Sequence, residues 1–189
     1  MFVGHATLAF ALVGGVAVAR GRTAERALAL GVVAGAFAAL PDVDMLYALV
    51  GIAGAVGSDA LAVAGAFWST GNVVHRAVTH SLVLALPVAL LAALRAADAR
   101  SARALSVTLG LVLVSVVGVG GGALAALVTL AFVLGAAVVG TVAGRYATLT
   151  PLQVLWAAVV GLGTHPFGDL FTGEPPAMLY PVDAALVTD

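Results

Sequence analysis

Apolar residues along this chain fall into long unbroken runs. Ala, Val, Leu and Gly fill roughly 2–19, 27–41, 45–68, 77–94, 104–117, 123–143 and 151–164, with short polar breaks between them. A helix needs about 20 apolar residues to cross a bilayer, range about 17–25, so several runs reach that length only when their flanks join the helix. The pattern predicts an all-α protein: a polytopic transmembrane helical bundle of about six membrane-crossing helices, with residues 1–189 forming a single integral membrane domain. The stretch 45–74 is different, because Ser58-Asp59 divides it into halves too short to span. It reads as a re-entrant hairpin or a pair of interfacial helices, in which Gly51, Gly54, Gly57 and Gly65 would permit close packing. The first run ends in Ala17-Val18-Ala19, which resembles a cleavage site, but no Lys or Arg precedes Arg20. Without a basic n-region it reads as a retained helix.

Composition supports lipid as the solvent. Hydrophobic residues make up 62% of the chain and charged residues 9%, whereas a soluble domain carries about a quarter charged residues. The formal charge of −1, with no basic stripe, excludes direct nucleic-acid binding. The absence of cysteine excludes a disulfide scaffold, a thiolate metal site and a Cys nucleophile. A metal here must use His and carboxylate. The missing lysines look like codon bias and carry no functional meaning.

The arginines set an orientation. Arg20, Arg22 and Arg26 follow the first run, Arg95, Arg100 and Arg103 the fourth, and Arg145 the sixth, so the positive-inside rule makes those breaks cytoplasmic. Threading the runs from there places His5, Asp42, Asp44, His75, His80, His165 and Asp169 at the outer ends. All four histidines of the protein are in that set, and of the eight arginines only Arg76 joins them.

Each of these residues has a bland explanation when taken singly. The carboxylates of Pro41-Asp42-Val43-Asp44 can end or cap helices, a lone His on an apolar helix is commonly a satisfied packing residue, and Arg76 can snorkel. Their collection at one membrane face is what points to chemistry, since ionisable groups at membrane depth persist when paired or functional. His165 and Asp169, at i and i+4, lie on one helix face and can share an ion. His75 and His80 are about 140° apart round a helix and approach a common centre only from its flank or across a bend. Seven N/O donors exceed the three or four protein ligands of one catalytic zinc, and three carboxylates need compensation. Two divalent cations, zinc first with manganese or iron as alternatives, meet both conditions.

The segments His-Arg-Ala-Val-Thr-His-Ser (75–81), Pro-Asp-Val-Asp (41–44) and Gly-Thr-His-Pro-Phe-Gly-Asp-Leu-Phe-Thr-Gly (163–173), followed by Leu179-Tyr180-Pro181, resemble the YdjM-type family over nearly the whole chain. Its members are described as inner-membrane-associated metal-dependent hydrolases, one of them as LexA-binding. The family also resembles, more distantly, the zinc-dependent phospholipase C group. The resemblance implies His5, Asp42, His75, His80, His165 and Asp169 as metal ligands, with Asp44 a further ligand or the general base. The apolar runs over 104–143 exceed what the simplest members need and read as membrane scaffold.

The expectation is therefore a multi-pass protein of the inner (cytoplasmic) membrane with its site on the extracytoplasmic side. It would hydrolyse phosphoesters or lipid head groups, with membrane lipid as its surroundings, Asp44 or Asp169 orienting water and Arg76 steadying phosphate. Two other classes compete. An ion or proton-coupled transporter or channel would spread His and Asp along a path through the bilayer. A non-catalytic membrane partner protein would need an exposed cytoplasmic surface, and the short Arg loops offer little.

Overall fold

A computed structural model of the chain describes residues 2–171 and 175–182. Seven α-helices and two 3-10 segments account for the regular structure, with no strand among the described residues. In order they are α1 (Phe2–Ala19), α2 (Ala24–Ala39), a 3-10 segment (Pro41–Tyr47), α3 (Ala48–Gly54), α4 (Ala60–Gly71), a short 3-10 turn (Val78–His80), α5 (Leu82–Ala96), α6 (Arg100–Arg145) and α7 (Pro151–Asp169).

The helix starts follow local chemistry. Thr23 caps α2, Asp59 caps α4 and Ser81 caps α5, each accepting a backbone N–H of the first turn. A capping box of Thr150 and Gln153, with Pro151 at the first position, starts α7. Arg26 of α2 then ties that end down, donating to the Ala147 and Thr148 carbonyls, the Thr148 hydroxyl and Gln153 Oε1. The half-buried charge at this end is thus met by named acceptors.

Although α6 has 46 residues, it is not a rod. Gly122 has φ 79° and ψ −175°, a backbone state open to glycine alone in practice. A Cβ on Gly110 would lie 2.9 Å from the Val133 side chain, and one on Gly118 would lie 3.0 Å from Ala126. Those approaches require the arms 100–121 and 123–145 to fold back on each other, with the reversal inside the glycine break at 118–122. At 1.5 Å per residue the arms are about 33 and 35 Å long, close to the hydrocarbon thickness of a bilayer.

By length and composition α6 is the one helix among the described residues that qualifies to cross a membrane, and α2 with the segment after it qualifies as a second across a 43° bend. α1, α4 and α5 are apolar but shorter. The expected helical bundle is therefore present, and of its expected crossings the stretch of clear spanning length among the described residues is α6 with its two arms. The segment 45–74 is indeed split, into the short helices α3 and α4 packed on each other. Gly51 makes that contact, since a Cβ there would strike the Ala66 carbonyl and Thr70. Gly54 and Gly65 face open space, and Gly57 serves the turn with φ 91°.

The core runs through α1, α2, α5, α6 and α7 and is built of small residues and a few large ones, notably Phe37, Leu91, Phe132 and Leu162. Its outer surface is inverted relative to a soluble protein. Leu111, Val116, Leu134 and Val138 on α6 are each more than half exposed, an apolar surface far beyond what a soluble monomer shows water.

Candidate metal centre

Helix ends deliver the polar residues to one place. α1 begins beside α7's C-terminal end, α2 runs into the Pro41–Tyr47 segment at the same end, and the chain between α4 and α5 turns there too. Two close approaches make this convergence possible. A Cβ on Gly161 would strike the Ala34 carbonyl and lie 2.7 Å from Phe37 Cβ, so α7 lies directly on the α2 backbone. A Cβ on Gly35 would lie 3.0 Å from the Ala6 carbonyl, so α1 does the same from the other side.

The result is a buried cluster. His5, Asp42, Asp44, His80, His165 and Asp169 are between 0 and 7% exposed, and His75 sits half-buried at the edge. Three overlapping groups have donor atoms within 4.8 Å of one another: His5, His165 and Asp169; Asp42, His80 and His165; Asp44, His75 and His80. All seven side chains singled out in the sequence are in these groups.

The hydrogen bonds around the cluster determine which atoms face inward. His165 Nδ1 donates to the Ala38 carbonyl, which leaves Nε2 as the lone-pair end. Thr79 Oγ1 donates to Asp44 Oδ2 at 2.7 Å, so the same oxygen accepts from His80 Nδ1 at 3.0 Å. His80 therefore also points a lone pair inward from Nε2. Burial pushes the His80 imidazole below the ordinary histidine value, the direction that keeps that lone pair available. Against the effect of burial, Asp169 and Asp42 hold the His165 imidazole up at about 9, so that a cation binding there displaces a proton. Asp44 Oδ1 accepts from His75 Nδ1 at 3.0 Å, which makes Asp44 the hub that orients both His75 and His80.

Four acceptor atoms meet at the centre. His80 Nε2 and His165 Nε2 are 3.0 Å apart; Asp169 Oδ2 is 3.0 and 3.5 Å from them, and Asp42 Oδ1 4.0 and 3.5 Å. The other Asp42 oxygen, Oδ2, is buried with no hydrogen-bond partner. Four ligands at about 2.0–2.1 Å on a tetrahedron stand about 3.3 Å apart, in the middle of these separations. Asp169 faces two ways, its Oδ1 meeting His5 Nε2 at 3.0 Å.

The YdjM inner membrane protein family matches the chain over residues 1–187. The chain is a member of that family. No curated protein and no solved structure matches it. Within this YdjM family member the three sequence segments singled out above supply every member of the cluster except His5 of α1, though Thr172 and Gly173 lie outside the described residues.

Arg76 occupies its own strained position. Its φ of 66° is unusual for a long side chain, and it makes the bend that brings His75 and His80 rings to a centroid distance of 5.0 Å. The C-terminal segment holds the bend, with Ala177 N donating to the Arg76 carbonyl, Leu82 N to Met178, and the Ser81 hydroxyl to Tyr180. Arg76 is half-buried at the rim and belongs to none of the three donor groups.

Two contributors were invisible by residue type. The Ala38 carbonyl orients His165, and no side chain announces it. Gly168 makes room for His5, whose ring would collide with any Cβ there; its place between His165 and Asp169 was the available signal. The Thr79 hydroxyl links His80 to Asp44.

Proposed function

We propose that the protein is an integral membrane metal-dependent hydrolase of phosphoesters or lipid head groups. The observation that carries this reading is the convergence of His80 Nε2, His165 Nε2, Asp42 and Asp169 as acceptors, with both imidazole Nδ1 protons already committed outward. Acceptors converging without donors call for a cation, and imidazole with carboxylate suits zinc, manganese or iron.

A bound divalent ion supplies Lewis acidity, which acidifies water and polarises a phosphoryl oxygen. The chain's own residues set the stage. Ala38 and the Thr79–Asp44 link fix the two inner imidazoles, and Asp169, shared between that centre and His5, favours two neighbouring ions over one. Asp44 holds His75 at the more open edge, so this pair can take a proton from an attacking water. Arg76 at the rim is placed to bind a substrate phosphate. The family's inner membrane setting and the one-sided arginines favour a multi-pass protein with this site on the extracytoplasmic side. The concentration of His and Asp at one end, in place of a ladder through the helices, favours hydrolysis over a transport relay.

Elemental analysis of detergent-purified protein, with phosphodiester hydrolysis before and after chelation, tests the proposal. The expected result is close to two metals per chain and activity that falls with chelation and returns with metal. Metal-free protein that hydrolyses nothing after zinc, manganese or iron is supplied overturns it.

A further inference from the structure

A second cavity lies at the other end of the molecule, and its chemistry is opposite in sign. It has a volume of about 280 Å3 and is lined by Arg95, Asp98, Arg103, Thr141 and Arg145 together with small residues. That is about nine times the share of liquid volume taken by one water, about 30 Å3, so the space holds more than solvent-sized guests. It forms where α5 ends, α6 begins and the second arm of α6 ends. Gly140 and Gly144 let that arm press onto the α5 backbone at Ala92 and Ala96, drawing the three termini together.

Three guanidinium groups and one carboxylate give the cavity a formal charge of +2. No ion pair among the described residues includes Arg95, Arg103 or Arg145. Arg95 Nε donates to Thr141 Oγ1 at 3.3 Å, which fixes one of the three. Helix-end electrostatics account for two of them: Arg95 and Arg145 sit in the last turns of α5 and α6, where a cation offsets the negative end of the helix dipole. Arg103 has no such account. It follows an uncapped α6 start with no acidic residue in the first turn, where the dipole and the unpaired N–H groups are already positive. With Asp98 the one carboxylate against three guanidinium groups, the cavity carries uncompensated positive charge.

We propose that this cavity binds the phosphate of an anionic phospholipid, with Arg103 and Arg145 as the principal contacts and Arg95 held by Thr141. Guanidinium groups suit phosphate because their paired N–H donors match its oxygens. A lipid is the source because exposed apolar side chains lie within two residues of the lining residues along the chain, among them Leu105, Val142 and Tyr146, with Tyr146 suited to the membrane interface. A basic pocket between helices at the membrane surface is the usual form of such a head-group site. This inference is independent of the hydrolase reading, since no residue is shared.

Native mass spectrometry of the full chain in neutral detergent, with phosphatidylglycerol or phosphatidylcholine added, tests it alongside calorimetry with inorganic phosphate. The wild type is expected to retain phosphatidylglycerol about tenfold or more over phosphatidylcholine. The Arg103→Gln/Arg145→Gln variant is expected to lose that preference while keeping its helical circular dichroism and metal content. If the double variant does not fold, Arg103→Gln alone carries the same test, because its side chain has no hydrogen-bond partner among the described residues to lose. Equal retention of the two lipids, or an unaltered preference in the variants, overturns the proposal. Calorimetric binding of inorganic phosphate without lipid discrimination assigns the cavity to a soluble anion and overturns the lipid source.

Discussion

At the residue scale, what turns a buried histidine into a ligand is the fate of its other nitrogen. His80 and His165 each spend one N–H on an outward acceptor, one a threonine hydroxyl and the other a backbone carbonyl, and each is left with a lone pair facing the same point. Thr79→Val removes the acceptor for His80 and the donor to Asp44 at nearly constant volume. Metal affinity is expected to fall about 10- to 100-fold, the usual effect of losing an outer-shell partner, and Thr79→Ser is expected to restore it. Competition with a chelator of known affinity measures both. Equal affinity in Thr79→Val would show that the link to Asp44 does not hold His80 in place. Asp42→Asn asks a different question, because it keeps the shape and removes one charge from the centre. Lower metal stoichiometry with an unaltered helical spectrum is the outcome expected of a ligand, and an unchanged metal content excludes Asp42 from that role.

At the element scale, the site depends on helices that touch backbone to backbone. Gly161 is the clearest case, and Gly161→Val forces α7 off α2. Overpacking of this kind costs about 1–3 kcal/mol, and it also separates His165 from the Ala38 carbonyl. Both a lower thermal midpoint and loss of metal are expected. Gly168→Ala is expected to act more locally, displacing His5 with little change in the midpoint. If it instead retains full metal content, His5 lies outside the metal's reach. These contacts also explain what the sequence could and could not disclose. The glycine break at 118–122 was readable because glycine in an apolar run weakens a helix, and the split at Ser58-Asp59 was readable because Asp59 is a good cap. The number of crossings was not, since a run of apolar residues fixes hydrophobicity but not where a helix ends: α5 stops at Ala96 and α3 at Gly54, both short of spanning length. The collection of His and Asp at one end followed from the alternation of runs and arginines. Which nitrogen faces inward did not, because it rests on a main-chain carbonyl and on a bend at Arg76 that no periodicity encodes.

At the scale of the whole molecule, the two ends carry opposite chemistry, and both consequences are measurable. A metal at the His/Asp end would bind in competition with protons, because imidazole must be neutral and carboxylate ionised to act as ligands. Burial lowers the His80 imidazole, whereas, against the effect of burial, Asp169 and Asp42 hold that of His165 up at about 9. Apparent metal affinity is therefore expected to weaken as pH falls below about 9, by about one power of ten per pH unit for the one imidazole that must lose a proton. Affinity independent of pH between 6 and 8 would mean that His165 is not a ligand.

The orientation of the two ends can be read directly because the chain contains no cysteine, so any introduced thiol is unique. Asn72 lies exposed at the end of α4, three residues before His75, and Ser101 lies exposed at the start of α6, beside the arginine-lined cavity. Positive-inside statistics put the arginine end in the cytoplasm. A membrane-impermeant maleimide applied to intact cells is therefore expected to label Asn72→Cys and to spare Ser101→Cys until the membrane is opened. The reverse pattern would place the His/Asp cluster on the cytoplasmic side, and any substrate would then have to come from the inner leaflet or the cytosol. Labelling of both thiols in intact cells would mean that the two ends share one face, which would remove the arginine count as a guide to topology while leaving the metal chemistry of the cluster to be judged on its own measurements.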